Sequence, residues 1–225
     1  MKIFFDFNKE FGNPINTINK NSKSTYIQEH PELQNIYICF DELIQSINID
    51  LNILLPKPIS LNVIKNLEAN QKNSYYYLNN FLYFYCINKH PQPINLNLFS
   101  AILDEEKIEL LKINAGYEFL NILNNFQYDI KKLNPQRLLT LINHYIPSKC
   151  LLDLNKRYSM KAHKQLSLDL LAKQLKFSRN QLNYRIKELE KQRAFALDEL
   201  KNKSEIVQKL LDDPDFIISP SKIWK

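Results

Sequence analysis

Glycine is scarce in this chain, which holds only Gly12 and Gly116 among 225 residues. Several binding motifs bring the backbone close to a ligand or into a positive φ angle, among them phosphate-binding loops, dinucleotide-binding motifs and nucleophile elbows. Glycine is the residue that usually allows this. Neither glycine lies in such a pattern. The sequence therefore argues against a fold built around a phosphate-binding loop, and it predicts that asparagine takes over many turns and helix ends.

The cysteines and the apolar segments bound the class of protein further. Cys39, Cys86 and Cys150 are odd in number, lie far apart and never form a Cys-x-x-Cys pair, so neither a disulfide framework nor a zinc site is predicted. No run of 18 apolar residues occurs, and the first residues, MKIFFDFNKEF, lack a small-residue cleavage site. We expect reduced thiols, no metal or other cofactor, no membrane partner and a cytoplasmic location.

Positive charge is concentrated in one part of the chain, whose formal net charge is +6. Residues 1–148 hold 13 Lys and Arg against 14 Asp and Glu, residues 149–193 hold 12 against 4, and residues 194–225 hold 5 against 6. The middle segment alone therefore has a positive excess, of +8. Such a local excess is typical of a surface that meets a polyanion, and a basic, solvated face without a partner is the alternative.

Apolar residues after the polar segment 12–24 recur mostly at the i, i+3, i+4 spacing of amphipathic helices. Pro31 fits the first turn of one such helix, and the two prolines of LLPKPIS end that pattern. The aromatic stretch SYYYLNNFLYFYC, residues 74–86, is interpreted as a core helix whose tyrosines are covered by neighbours or by a second subunit. A small effector pocket lined by these rings is the alternative. Further helices are predicted after Ser60, within DEEKIELLKI and from Asn134. Only KIFFDF, near the N-terminus, is interpreted as a strand or an arm on the core.

The stretch SLDLLAKQLKFSRNQLNYRIKELEKQ, Ser167 to Gln192, predicts two short helices joined by a tight turn. Ser167 is placed to cap a helix that starts at Leu168, and Ser178 is placed to cap one that starts at Arg179. Ala172 is small enough to let the two helices approach each other. The apolar seam between them is predicted to consist of Leu171, Leu175, Phe177, Leu182, Ile186 and Leu189.

This pattern resembles the helix-turn-helix of prokaryotic transcription regulators, over about residues 150–192 when CLLDLNKRYSMKAHKQ is counted as the preceding helix. The family's apolar-Ala, turn and apolar-Ser positions are matched at Leu171, Ala172, Leu175, Phe177 and Ser178. Lys176 stands where the family usually has glycine, so a lysine must adopt a left-handed or distorted turn. The segment after Gln192, RAFALDELKNK, has helical character and departs from the two strands of winged relatives.

The resemblance implies that the helix starting at Arg179 enters the major groove of double-stranded DNA, where Arg pairs with guanine and Asn or Gln with adenine. The side chains expected to contact DNA are Arg179, Asn180, Gln181, Asn183, Tyr184, Lys187, Lys176, Lys173 and Lys164. On this interpretation the protein is a sequence-specific DNA-binding protein, in the first place a transcriptional regulator, with no catalytic residues.

Apolar residues continue past the motif at alternating intervals of four and three, from Leu182 to Leu210. Two copies of such a helix can pair, which would set two recognition helices about one DNA turn apart, roughly 34 Å. The same helix can instead dock on the N-terminal part of its own chain. A homodimer is the assembly we expect, and intramolecular docking is the alternative.

Other functions stay open at the level of sequence. A replication or partition protein of a plasmid or phage would bind DNA with the same helix pair. The stretch RLLTLINH, Arg137 to His144, matches the Arg-x(4–6)-His spacing of HEPN-type ribonucleases, which the chain resembles at that point alone. A structural αα-hairpin or a non-catalytic adaptor subunit would use the helix pair only for protein contacts.

Together these patterns predict a mainly α-helical protein in three parts. Residues 1–133 are assigned to a helical sensor or assembly domain, with at most one N-terminal strand and a place for a small-molecule or protein effector. Residues 134–193 are assigned to a tri-helical helix-turn-helix domain. Residues 194–225 are assigned to a long C-terminal amphipathic helix and tail.

Overall fold

Five strands and eight α-helices make up the described part of the chain. The computed structural model describes residues 7–21, 25–48, 59–67, 73–89, 93–100, 103–158, 163–201 and 208. The strands are β1 (Asn16–Asn21), β2 (Tyr26–Glu29), β3 (Ile59–Lys65), β4 (Ser74–Tyr77) and β5 (Pro93–Leu98). The helices are α1 (Phe7–Phe11), α2 (Gln34–Ile44), α3 (Phe81–Lys89), α4 (Glu105–Asn125), α5 (Pro135–Tyr145), α6 (Ser148–Tyr158), α7 (Leu168–Leu175) and α8 (Arg179–Lys201).

The strands form one mixed sheet in the order β1-β5-β3-β4-β2. β5 lies antiparallel to β1 and parallel to β3, with Leu96 opposite Leu61. β4 lies antiparallel to β3 and parallel to β2, with Tyr75 opposite Ile27. The chain is therefore an α/β protein, and the prediction of a mainly α-helical, all-alpha fold was wrong.

Strand β3 was misread because its apolar residues also fit a helical spacing. In ISLNVIK the side chains of Ile59, Leu61 and Val63 are buried, whereas those of Ser60 and Asn62 between them are partly exposed. That is the two-residue period of a strand with one face on the core. Ser60 is therefore a strand residue and caps no helix.

The aromatic stretch 74–86 divides into a strand and a helix instead of forming one core helix. Ser74–Tyr77 is strand β4, and helix α3 begins at Phe81. Between them Asn80 has a φ angle of 66°, a left-handed conformation that asparagine tolerates better than most residues and that a helix interior does not accept. The turn at Asn79 and Asn80 is what the helical interpretation overlooked.

Several helices begin where the sequence predicts them. The side chain of Asp104 accepts a hydrogen bond from the Lys107 N–H, at 2.9 Å, at the start of α4. The side chain of Asn134 accepts one from the Arg137 N–H, at 3.1 Å, at the start of α5. Pro31 opens a short 3₁₀ turn, Pro31–Leu33, that leads into α2. These caps satisfy backbone donors that have no partner within the helix.

The buried side chains form one continuous cluster that runs from the sheet to the helices after residue 134. Helix α4 packs on α2, α6 and α7, and helix α5 packs on α2 and α8. At Gly116 in α4 an added Cβ would lie 2.9 Å from the Cys150 Sγ and 3.0 Å from the Pro147 Cδ. The absence of a side chain at Gly116 therefore lets α4 approach the start of α6.

Two predictions from the sequence fall outside the described residues. Of KIFFDF only Phe7 is described, and it begins α1. The seam positions beyond Lys201 and the tail DFIISPSKIWK also lie outside the described part. Among the helices that are described, none is long and apolar enough to cross a bilayer.

Candidate nucleic-acid interface

The two helices of the motif begin at the residues that the serine caps predict. Ser167 Oγ accepts a hydrogen bond from the Leu170 N–H at 3.2 Å, at the start of α7. Ser178 Oγ accepts one from the Gln181 N–H at 3.2 Å, and the Ser178 N–H donates to Gln181 Oε1 at 2.8 Å. This reciprocal pair is a capping box, which fixes the direction in which α8 leaves the turn.

The turn between α7 and α8 has the left-handed residue that the sequence requires. Lys176 has φ 61° and ψ 33°, and its N–H donates to the Lys173 carbonyl at 3.2 Å. The Phe177 N–H donates to the Ala172 carbonyl at 2.9 Å. The two bonds form a Schellman motif that closes α7. A lysine in this conformation costs roughly 1 kcal/mol relative to glycine.

The seam between the helices is buried at its centre and partly open at its edges. Leu171 and Leu182 have no exposed surface, and Leu175 is 1% exposed. Phe177, Ile186 and Leu189 are partly buried. The apolar underside of α8 therefore rests on the core, and its opposite face is directed away from the protein.

The side chains predicted to contact DNA lie at the surface. Asn183 is partly buried, and Tyr184 is 74% exposed. The exposed members of the predicted set are Lys164, Lys173, Lys176, Arg179, Asn180, Gln181, Tyr184 and Lys187. The side-chain oxygen of Gln181 is used in the capping box, so less of its hydrogen-bonding capacity is free than the sequence suggests.

Arg179 lies in an ion pair within the motif. Its Nη1 is 3.3 Å from Asp169 Oδ2, and the two side chains are 61% and 58% exposed. Exposed pairs of this kind contribute about 0–1 kcal/mol to stability. The guanidinium is therefore released easily when another anionic or hydrogen-bonding partner approaches.

Arg185 is a basic residue of α8 that turns inward. Its side chain is only 13% exposed, and its Nη1 is 2.7 Å from Glu188 Oε2. Its Nε donates to the Leu133 carbonyl at 3.2 Å, and its Nη2 donates to the Lys131 carbonyl. Sequence reasoning missed this role because both carbonyls lie more than 50 residues away along the chain. No local pattern indicates it.

Two asparagines, also missed from the sequence, hold the segment that leads into α7. Asn143 donates to the Leu166 carbonyl at 3.0 Å and accepts from the Leu166 N–H at 2.6 Å. The buried side-chain amide of Asn155 donates to the carbonyls of His163 and Gln165, at 3.0 and 2.9 Å. Each amide takes the place of a backbone partner that this irregular segment lacks.

A partly buried carboxyl lies next to a cavity in the sheet half of the molecule, which comprises the described residues up to 133, whereas the helix-turn-helix half comprises those from 134 to 201. Glu118 of α4 accepts hydrogen bonds from the N–H groups of Asn80 and Phe81, at 3.0 and 2.5 Å, and so caps α3. Burial raises the pKa of Glu118 to about 7, although the two N–H groups act in the opposite direction. The cavity, of about 320 Å³, is also lined by Leu82 and Tyr83 of the aromatic stretch.

The residues that suggested a ribonuclease lie on α5. Arg137 Nε is 3.0 Å from Glu42 Oε2, with the arginine side chain 63% exposed. His144 is exposed, and its ring contacts that of Tyr145 edge-on at 4.6 Å between centroids. Burial raises the pKa of Glu42, and the nearby Arg137 acts to lower it. The geometry gives Arg137 a structural partner, and the ribonuclease interpretation stays a hypothesis.

The cysteines and other metal-ligating residues show no cluster where the chain is described. Cys39, Cys86 and Cys150 are buried free thiols. Burial is the main reason that the pKa values of Cys39 and Cys150 are raised to about 12. No group of three or more His, Cys, Asp or Glu side chains is positioned to hold a metal ion within the described ranges.

Comparison of the chain with models of known protein families, with curated proteins and with solved structures gives no match. The resemblance to a helix-turn-helix therefore depends on the residues of the motif and their geometry alone.

Proposed function

We propose that this protein is a sequence-specific DNA-binding protein that inserts the first turns of α8 into the major groove of double-stranded DNA. The observation that carries the proposal is the two-sided character of α8. Its underside, centred on Leu182, is buried, while its polar outer face is exposed within the segment of +8 charge. A helix of this kind matches the width of the major groove.

The exposed side chains have two different tasks in this proposal. Arg179 and Asn183 have the donor and acceptor groups that pair with guanine and adenine edges. Lys164, Lys173 and Lys176 are cations outside the recognition helix, and they contact phosphates and fix its register on the duplex. Affinity from such contacts is salt-dependent, since bound phosphates release their counterions.

The biological role that we propose is transcriptional regulation, because the motif resembles that of prokaryotic regulators. The sheet half then acts as the sensor or assembly part, and the cavity beside Glu118 is its candidate effector pocket. Homodimerisation through the later turns of α8 would place two recognition helices on a repeated or palindromic site.

The test is selection of bound fragments from the source genome, followed by binding measurements on the selected site with Arg179→Ala and Asn183→Ala. Each variant is expected to lose about 1–3 kcal/mol of discrimination at one base position. Lys65→Gln is the matched control, because Lys65 is exposed on β3, outside the helix pair. Affinity that stays flat between 50 and 200 mM salt, or variants that bind every sequence as the parent does, would contradict the proposal.

A further inference from the structure

We infer that the cavity beside Glu118 is a binding site for a small organic amine in its cationic form. The ammonium group binds the Glu118 carboxylate, and the apolar part of the molecule packs against Leu82 and Phe126. The inference names the chemical class of the effector, and it rests on the proposed function only in making this amine a regulator of DNA binding. The cavity volume of about 320 Å³ lies within the range of small-molecule sites, roughly 300–1,000 Å³.

The cavity lies between α4 and the start of α3. The residues of α4 that line it follow the spacing i, i+3, i+4 and i+7, so they share one face of that helix: Glu118, Asn121, Ile122 and Asn125. The opposite wall comes from the turn before α3 and from its first residues, and it consists of Asn80, Leu82 and Tyr83. The Glu118 carboxylate accepts the N–H groups of Asn80 and Phe81. It therefore lies where the two walls meet.

The Glu118 carboxylate has charge and acceptor capacity beyond its role as the cap of α3. A carboxylate offers about four lone-pair sites on its two oxygens, and each oxygen of Glu118 accepts one N–H. It forms no ion pair with any Lys, Arg or His in the described part of the chain. Burial raises its pKa to about 7 in spite of the two N–H groups, so these donors do not offset the cost of burying the charge. A cation is the group that does so.

The rest of the lining fits an ammonium group that carries an apolar body. A primary ammonium has three N–H donors, and the side-chain amides of Asn80 and Asn125 contain oxygens that can accept those the carboxylate does not. The apolar wall consists of Leu82, Tyr83, Ile122 and Phe126, and aromatic rings are also favourable neighbours for a cation. Ions such as Ca²⁺ and Mg²⁺ bind oxygen ligands, and this wall offers them none. An organic cation uses both parts of the lining.

The experiment compares two probes, 2-phenylethylamine and 2-phenylethanol, which share a ring and a two-carbon chain and differ in the cationic group. Each is titrated into the full chain without DNA at about pH 8, above the pKa of Glu118. Binding is followed through the amide NMR signals of Asn80 and Phe81, whose N–H groups donate to the carboxylate. The amine should bind roughly ten- to a hundred-fold more tightly than the alcohol, as expected for a hydrogen bond between charged groups.

Glu118→Gln tests whether the carboxylate causes this preference. Glu106→Gln is the matched control, because Glu106 is an exposed carboxylate of the same helix, about three turns before Glu118. Glu118→Gln should bind both probes with similar affinity, whereas Glu106→Gln should retain the preference for the amine. The ratio of the two affinities is measured within each protein, so a variant that is less stable is still informative. If Glu118→Gln does not fold, the two probes on the parent chain decide the question.

The outcomes separate this inference from the proposed function. Saturable binding of the amine with the expected preference, lost in Glu118→Gln and retained in Glu106→Gln, supports the inference. Equal binding of the two probes, no shift of the two amide signals with either probe, or an unchanged preference in Glu118→Gln overturns it. DNA binding is measured separately. If the chain binds DNA without this preference for the amine, only the inference fails, and if it binds the amine but no duplex, only the proposed function fails.

Discussion

The sheet half and the helix-turn-helix half use their polar groups in opposite ways. In the sheet half several carboxyl groups are held close to the protein interior, and burial raises the pKa of Glu118 and, to a smaller extent, of Glu29 and Asp41. In the helix-turn-helix half most of the described cations lie at the surface, with Arg185 as an exception, and the buried side-chain amide of Asn155 is bonded to backbone carbonyls. The difference indicates that the first half is a framework and the second presents a charged surface.

Helix α4 joins the two halves through consecutive residues. Glu118 points to the sheet half, where it caps α3. Tyr117 points to the other half, where its hydroxyl donates to Asp153 Oδ2 of α6 at 2.5 Å. Because successive residues of a helix lie about 100° apart, one turn of α4 holds both contacts. Both halves of the molecule therefore depend on side chains from the same turn of α4.

The largest effect is expected for a pair of substitutions that separates the framework from the surface. Leu182→Ala empties a fully buried position under α8 and should lower the free energy of unfolding by about 2–5 kcal/mol. Tyr184→Ala, two residues away and 74% exposed, should change it by no more than about 0.5 kcal/mol yet weaken DNA binding. Urea unfolding and duplex titration of both variants check this, and equal destabilisation by the two would refute the division of α8 into two faces.

Glu118→Gln tests the buried charge of the sheet half. The folded-state pKa of about 7 lies above the usual 4.5, so between these pH values the folded protein holds a proton that the unfolded chain has released. The free energy of unfolding should therefore fall as pH rises from about 4.5 to 7, by at most about 3 kcal/mol from this group, and level off above.

The measurement for Glu118 is urea unfolding of the parent and of Glu118→Gln at several pH values from 5 to 8. The difference between them isolates Glu118 from the other carboxyls. The free energy of unfolding of the Gln variant, relative to that of the parent, should rise with pH in this window. A constant loss is expected in addition, because the NH₂ group of Gln faces a backbone N–H that donates to the Glu118 carboxylate in the parent. A pH-independent difference would show that Glu118 is ionised in the same way in both states.

Gly116→Ala tests the contact between the two halves. The added Cβ would lie 2.9 Å from Cys150 Sγ and 3.0 Å from the Pro147 ring, and neither a buried thiol nor a proline has much room to move. Overpacking of this kind should lower the free energy of unfolding by about 1–3 kcal/mol. Ala115→Gly, at the neighbouring buried position, is the control for backbone flexibility, and thermal unfolding of both is the measurement. If Gly116→Ala instead raises the free energy of unfolding, the contact between α4 and α6 has room for the added methyl group.

The smallest effect is expected at the turn of the motif, and it has opposite signs in the two assays. Lys176→Gly relieves a left-handed lysine and should raise the free energy of unfolding by about 1 kcal/mol. The same change removes a cation from the proposed phosphate-binding surface and should weaken DNA binding. Lys176→Gln, which lacks the charge but keeps a side chain that is strained in this conformation, distinguishes the two effects, because it should weaken DNA binding without raising the free energy of unfolding. If Lys176→Gly instead lowers the free energy of unfolding, Lys176 is not strained in its left-handed conformation.

The helix ends of the second half were predictable because their signals are local. Asn134, Ser167 and Ser178 each accept a hydrogen bond from an N–H three residues later, and that spacing is visible in the sequence. The turn at Lys176 was expected to be left-handed or distorted, and its φ angle of 61° shows that it is left-handed.

The strands and the long-range hydrogen bonds of Arg185, Asn143 and Asn155 were not predictable from such local signals. Edge strand β1, NTINKN, has Ile18 as its only apolar residue, and β3 has apolar residues that also fit a helix. Arg185 and Asn143 donate to carbonyls that lie 23 to 54 residues away, and Asn155 donates to carbonyls 8 and 10 residues further along the chain. These roles depend on the tertiary arrangement of the chain, which a single sequence does not show.

Arg185 donates hydrogen bonds to main-chain carbonyl oxygens, which every residue type provides. The side chains at positions 131 and 132 can therefore change without loss of the hydrogen bonds that hold their turn against α8. The residues at these two positions can therefore differ among related proteins, or be changed by design, while the turn stays attached to α8 through the same two hydrogen bonds.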